Sequence, residues 1–139
     1  DDVVGEVHRF LAERIFVAEL AGITKRNIVI DPGFGFGKTT QHNLQLLAQL
    51  RRFTELGVPV LAGLSRKRSI GELTGREDPR ARTAGSVAAH LIAAQNGAML
   101  LRVHDVAATV DALKVLDALA AVPLPRKDAG KPAIVWPED

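Results

Sequence analysis

The stretch Ile28-Val-Ile-Asp-Pro-Gly-Phe-Gly-Phe-Gly-Lys-Thr39 decides how the rest of the chain reads. Its first three residues are β-branched with no polar alternation, the pattern of a short strand buried on both faces in a parallel sheet. An acid, Asp31, stands where that strand ends. Behind it come glycines at 33, 35 and 37, with Phe34 and Phe36 between them and Lys38 after. Glycine alone marks only a turn, because it takes positive φ at little cost. A strand-end acid, three alternating glycines and two phenylalanines offered to solvent point instead to a functional loop.

Two familiar phosphate-binding patterns nearly match this loop, and both fail. A P-loop needs a glycine where Pro32 stands, and proline has no N–H to offer and a fixed φ. A dinucleotide fingerprint needs two residues between its second and third glycines, whereas Gly35 and Gly37 are separated by one.

Outward from the loop, helices and strands alternate. Val3, Val4, Val7, Phe10, Leu11, Ile15 and Ala18 recur at three and four, predicting a helix over Asp2–Ala21 that Gly22 ends at its C′ position. Asn27–Asp31 is the first strand. Leu44, Leu47, Leu50 and Phe53 predict a helix over Thr40–Leu56, and Val58–Leu64 a second buried strand. A polar connection, Ser65–Thr83, holds a short helix near Ser69–Leu73. Ala84–Asn96 is a small-residue helix, Ala98–Val103 a third strand, and Val106–Ala121 a last helix through Val110, Leu113 and Leu116. Residues 122–139 carry Pro123, Pro125, Pro132 and Pro137 and read as an irregular or disordered tail, apart from a folded region over 1–121.

An α-β-α-β-α-β-α order with apolar strands implies right-handed crossovers and a parallel sheet. The fold class is α/β: strands six to eight and helices five to eight of a (β/α)₈ barrel, with an open doubly wound sheet as the alternative. The chain opens on Asp1 rather than Met, which reads as a piece of a longer protein.

Composition narrows the function. Of 139 residues, 47% are hydrophobic and 24% charged, as in ordinary globular proteins. Eighteen Lys and Arg against 16 Asp and Glu leave +2, and the cations are scattered, which argues against a nucleic-acid binder. No cysteine is present, so disulfides and thiolate metal sites are excluded, in keeping with a reducing cytoplasm. The apolar run Val58–Leu64 is far too short to span a membrane.

In parallel α/β folds reactive groups gather beyond the carboxyl ends of the strands. The second strand delivers Ser65-Arg66-Lys67-Arg68 there, and the third delivers Arg102, His104 and Asp105. Alternation puts Arg102 and His104 on one side of their strand, a better anion site together than either alone. Asp105 can also be read as a helix cap. One carboxylate, two glycine-backed aromatics, a Lys, an Arg and a His suit a polar planar ring joined to a phosphoryl group, and lack both a nucleophile–base pair and an acid cluster for metal.

DPGFGFGK at Asp31–Lys38, SRK at Ser65–Lys67 and RVHD at Arg102–Asp105, in this order and spacing, make the chain resemble the C-terminal half of the dihydropteroate synthases over Asp2 to about Ala121. The resemblance implies a (β/α)₈ barrel, usually homodimeric, that joins 6-hydroxymethyl-7,8-dihydropterin pyrophosphate to p-aminobenzoate with release of pyrophosphate. It implies that Asp31 binds pterin N–H groups and that Lys67 bonds the ring carbonyl and borders the p-aminobenzoate pocket. Arg102 would stack on the pterin and meet phosphate, His104 would bind pyrophosphate, and Gly35 and Phe36 would border the rings. Catalytic roles thus fall to Lys67, Arg102 and His104. Many relatives carry Ser after the SRK lysine to help hold the p-aminobenzoate carboxylate; here it is Arg68, which can hold that group itself or leave it to backbone N–H groups or to groups elsewhere. The family's Mg²⁺ ligand lies in the N-terminal half, so none is expected in this chain. Rival readings are another pterin-binding barrel that handles methyltetrahydrofolate, a P-loop-like nucleotide-binding module, and a non-catalytic half-barrel that dimerises.

Overall fold

The computed structural model describes residues 2–124, so most of the predicted tail at 122–139 lies outside the described residues. Helix α1 (Val3–Leu20) starts where the Asp2 side chain accepts the Gly5 N–H at 3.0 Å. It stops in the predicted place. Ile23 N–H reaches Ala18 O and Gly22 N–H reaches Glu19 O, each at 3.0 Å, with Gly22 at φ +91°. Its buried face is Val3, Val4, Leu11 and Ile15, whereas Phe10 is exposed and not part of it.

The first predicted strand shrinks to a single contact. Lys25–Asn27 forms a 3₁₀ turn, and only Ile30 pairs, in parallel with Val60. Ile30 N–H donates to Pro59 O at 3.0 Å and Ile30 O accepts from Leu61 at 2.8 Å. Ile30 is buried but Val29 is 49% exposed, so the segment is not covered on both faces as predicted. The predicted helix over Thr40–Leu56 divides into α2 (Thr40–Ala48) and α3 (Arg51–Thr54). The break lets Leu46, Leu50 and Phe53 all reach full burial, while Leu44 of the predicted stripe stays partly exposed. Polar groups at the end of the next long helix cover the break: Asn96 Nδ2 donates to Leu47 O at 2.8 Å, and Arg51 donates to Gln95 O.

Strand β1 (Leu61–Ala62) pairs with β2 (Leu100–Leu101) in parallel, Leu61 opposite Leu100 and Ala62 opposite Leu101. Between them run α4 (Arg68–Thr74), a 3₁₀ turn at Pro79–Ala81 and α5 (Thr83–Gln95); α6 (Val106–Ala120) follows β2. The regular strands are shorter than predicted, but ladder bonds extend past them, from Met99 N–H to Val60 O at 2.9 Å and from Arg102 N–H to Ala62 O at 3.0 Å. β1 lies between Ile30 and β2 and is the covered one of the two strands among the described residues: Val60, Ala62 and Leu64 are buried with Phe34, Leu46, Leu50, Phe53 and Ala93. Met99 and Leu100 on the β2 side are exposed, at 76% and 41%, so the third strand is apolar in sequence without being covered. Among the described residues no helix is long and apolar enough to cross a membrane.

Gly97 shows how tightly α5 closes on the neighbouring layer. It turns the chain out of α5 at φ +102°, and a Cβ there would stand 2.7 Å from Thr54 Cγ2. Gly97→Ala is expected to lower stability by roughly 1–3 kcal/mol, from the strained φ and the clash together. A urea titration reads this as a lower midpoint at unchanged slope.

Candidate functional site

Three chain segments leave the sheet side by side, and each carries part of the site. The first is the glycine loop. Gly33, Gly35, Phe36 and Gly37 all have positive φ, +75°, +90°, +46° and +79°, a coil that costs little at the three glycines and is strained at Phe36. Asp31 Oδ1 accepts the Gly33 N–H at 2.9 Å and starts the coil. The two phenylalanines part company: Phe34 is 1% exposed and anchors the loop in the core, and only Phe36, 79% exposed, is presented to solvent. Buried Asn43 on α2 accepts the Gly35 N–H at 3.0 Å and donates to Ser69 Oγ at 2.7 Å, tying the loop to α4.

The second segment leaves β1 as Ser65-Arg66-Lys67-Arg68. Lys67 donates from Nζ to the Phe34 carbonyl and lies 4.9 Å from the centroid of the Phe36 ring. Burial, reinforced by the nearby Arg102 and Lys38 and opposed by Asp31, holds the Lys67 ammonium below the usual lysine range. Arg68 is held along its own helix. Its Nε pairs with Glu72 at 2.6 Å, its side chain is 91% exposed, and Glu72 also takes the Thr40 hydroxyl.

The third segment leaves β2. Arg102 lies 3.6 Å from Asp31 Oδ2, and its guanidinium passes over Gly63, where a Cβ would come within 2.9 Å of it. His104 is held by Ser65, whose Oγ accepts the His104 backbone N–H at 3.0 Å and lies 2.7 Å from Nδ1.

Asp31, Lys67 and Arg102 therefore meet, and His104 joins them through Ser65. Gly35, Phe36, Lys67 and Arg68 line an adjoining open cavity of about 660 Å³ with Lys38 and Asn43. Asp31, Arg102 and His104 are not on its wall, so Lys67 stands between the charged cluster and the recess. Asp105 is corrected from the helix-cap reading. It makes no side-chain cap bond and instead pairs with Arg66, at 2.9 and 3.3 Å, each group pushing the other further into its charged form. No group of three or more His, Cys, Asp or Glu able to hold a metal ion occurs among the described residues.

Sequence reasoning missed Ser65 and Asn43. Asn43 was discoverable: with Leu46, Leu47 and Leu50 it heads the buried stripe of α2, a polar residue in an apolar register. Ser65 carries no such signal, because its role depends on the pairing of β1 with β2.

A barrel segment carrying its charged groups at the strand exits defines a class, and comparison with known proteins agrees. The chain belongs to the pterin-binding enzyme family, whose profile it matches over residues 1–104. Within that family its relatives are dihydropteroate synthases. It is 77% identical to the enzyme of Xanthomonas albilineans, solved in complex with 7,8-dihydropteroate and with 4-aminobenzoic acid, at a TM-score of 0.88 over 88% of this chain. The enzyme of Stenotrophomonas maltophilia is 68% identical, at a TM-score of 0.88 over 89% of this chain. That of Neisseria meningitidis serogroup C is 55% identical over 119 residues. The alignments span 48%, 47% and 42% of those proteins, so the chain corresponds to somewhat less than half of each. The fold is a portion of a (β/α)₈ barrel.

His90 of α5 offers a test of the packing beneath the site. Fully buried, it accepts the Leu64 N–H on Nε2 at 3.2 Å, and its Nδ1 lies 2.7 Å from Ser86 O, so Nδ1 carries the proton and the ring is neutral. Burial pushes its pKa down. Below about pH 6.5 the unfolded chain takes up a proton that the folded one refuses, so stability falls as pH falls from there toward the folded pKa. The carboxylates lowered by hydrogen bonds, Glu72 from Thr40 and Arg68, Asp78 from Arg80 and Asp105 from Arg66, act at lower pH, beneath the ordinary carboxylate range. Urea midpoints measured from about pH 7 to pH 5.5 are expected to fall less steeply in His90→Gln than in the parent. Parallel slopes would refute the assignment.

Proposed function

We propose that this chain supplies part of the active site of a dihydropteroate synthase, which condenses 6-hydroxymethyl-7,8-dihydropterin pyrophosphate with p-aminobenzoate to give 7,8-dihydropteroate and pyrophosphate. The observation that carries the reading is the meeting of Asp31, Lys67 and Arg102 at three strand exits beside a recess walled by Phe36. The ligands named for the Xanthomonas albilineans enzyme, 7,8-dihydropteroate and 4-aminobenzoic acid, support the same pair of substrates here.

A pterin presents adjacent N–H donors and a ring carbonyl. The Asp31 carboxylate accepts from the donors, and the Lys67 ammonium, already turned to a carbonyl oxygen, donates to the pterin carbonyl. The Arg102 guanidinium is planar and can lie on the ring while reaching phosphate oxygens. Ser65 engages His104 Nδ1, which leaves Nε2 for the pyrophosphate. In the reaction the arylamine nitrogen forms a bond to the exocyclic methylene carbon. The carbon–oxygen bond to pyrophosphate breaks, the oxygen keeps the electron pair, and the amine releases a proton. Arg102 and His104 stabilise the charge that grows on the departing oxygen. The recess bordered by Gly35, Phe36, Lys67 and Arg68 takes the p-aminobenzoate. Arg68, with Nε committed to Glu72, offers its remaining N–H groups to the carboxylate.

Mg²⁺ is part of the proposal only for the assembled enzyme. The described residues do not form its site, since both carboxylates nearest the cluster, Asp31 and Asp105, face arginines, and no step is assigned to it. A cytoplasmic homodimer is proposed on the family resemblance alone.

In the enzyme carrying both barrel halves, Asp31→Asn is expected to weaken pterin binding by about 1.5–3 kcal/mol, read by calorimetric titration. A folded variant of unchanged affinity would remove Asp31 from the site. Lys67→Ala and Arg102→Ala are each expected to lower kcat/KM at least tenfold, roughly 1.4 kcal/mol. Changes within about twofold for both would reduce the cluster to a solvated loop.

A further inference from the structure

We infer that Ser86 and Arg82, at the start of α5, are positioning residues for Lys67, acting through the backbone of Arg66. The inference rests on the reading of Lys67 as a pterin ligand. Arg66 is a non-glycine residue at φ +57°, a left-handed conformation that its own side chain disfavours. It sits between two residues with opposite duties, Ser65 gripping His104 and Lys67 reaching Phe34 O beneath the Phe36 ring. An extended residue at 66 would carry the backbone past this corner and take Lys67 with it.

What holds the turn comes from α5 and from just before it. The Arg66 N–H donates to Ser86 Oγ at 2.9 Å, and the Arg66 C=O accepts from Arg82 Nη1 at 2.9 Å, so both peptide groups flanking the strained residue are fixed. Arg82 is fixed in turn. It donates from Nε to Arg76 O and from Nη2 to Glu77 O, both at 2.8 Å, and it lies where a Cβ on Gly71 would come within 2.4 Å. One residue back, the Leu64 N–H is held by His90, which also bonds the Ser86 carbonyl. The Arg66 side chain is pinned separately on Asp105, which accepts the Thr83 hydroxyl at 3.3 Å and neighbours His104 in the chain. None of these groups lines the recess or joins the charged cluster. A network that only stabilised the fold would not need to hold the single strained residue of this turn at its N–H and its C=O.

A double-mutant cycle on pterin affinity separates positioning from plain stabilisation. The proteins are the two-half enzyme and its Ser86→Ala, Ser86→Thr, Lys67→Ala and Ser86→Ala/Lys67→Ala variants, titrated calorimetrically with a pterin. Ser86→Ala is expected to raise Kd about fivefold and Ser86→Thr, which keeps the acceptor, to restore it; in the Lys67→Ala background Ser86→Ala should add less than about twofold. Independent, multiplying effects, or a Ser86→Ala affinity equal to the parent's, would overturn the inference. If Lys67→Ala itself left affinity unchanged, the functional reading would fall first, and the inference with it. Should Ser86→Ala not fold, Arg82→Lys, which keeps a charge but not the three-carbonyl clasp, takes its place in the same cycle with the same expectation.

Discussion

Everything at the site depends on β1 being paired on both sides. Its backbone bonds Ile30 on one flank and the β2 ladder on the other, all in parallel. Parallel pairing sends three chain segments out of the sheet at the same end, so residues distant in sequence, Asp31, Lys67 and Arg102, are delivered together. The burial of Val60, Ala62 and Leu64 fixes the register, because a slip of one residue would turn this apolar set out of the core. The register in turn sets which loop atoms meet: Arg102 over Gly63, and His104 against Ser65.

The charge balance at these exits leans positive. Burial first, and then the nearby Arg102 and Lys38, weakens the hold of Lys67 on its proton, with Asp31 as the opposing charge. Like charges gathered in partial burial are unfavourable for the free protein. They become favourable when an anion arrives, and a diphosphate ester with a polar ring is a ligand of that kind. Arg66 and Arg68, in the same short run, are already paired with Asp105 and Glu72. The run Ser65-Arg66-Lys67-Arg68 is thus divided by its surroundings into two cations held by acids and one turned to the loop.

The element order, the helix limits of α1, α5 and α6, and the three clusters of chemistry-bearing residues were legible in the sequence. Apolar spacing and glycine stops are local properties, and they set where helices begin and end. Strand length was not legible. Ile28-Val29-Ile30 is as good a strand sequence as any here, yet only Ile30 pairs, since a ladder needs a neighbour and side-chain type does not supply one. The break between α2 and α3 was equally hidden. Its carbonyl at Leu47 is satisfied by Asn96, almost fifty residues on, and no local pattern records that.

The sequence by itself determined which groups the protein owns and that they stand at strand ends: the Asp31 carboxylate, the glycine coil, Lys67, Arg102 and His104. Tertiary structure alone decided how they are divided and held. Phe34 goes to the core and Phe36 to solvent, because only one of the two alternating ring positions faces the buried side of the loop. Asp105 turns from its own helix to Arg66, because the pairing of β1 with β2 brings a guanidinium within reach. Ser65, named in the sequence only as the first residue of SRK and given no role there, becomes the link between two loops for the same reason. Residue chemistry is a local fact, whereas hydrogen-bond partnership and burial are set by whatever the chain folds against.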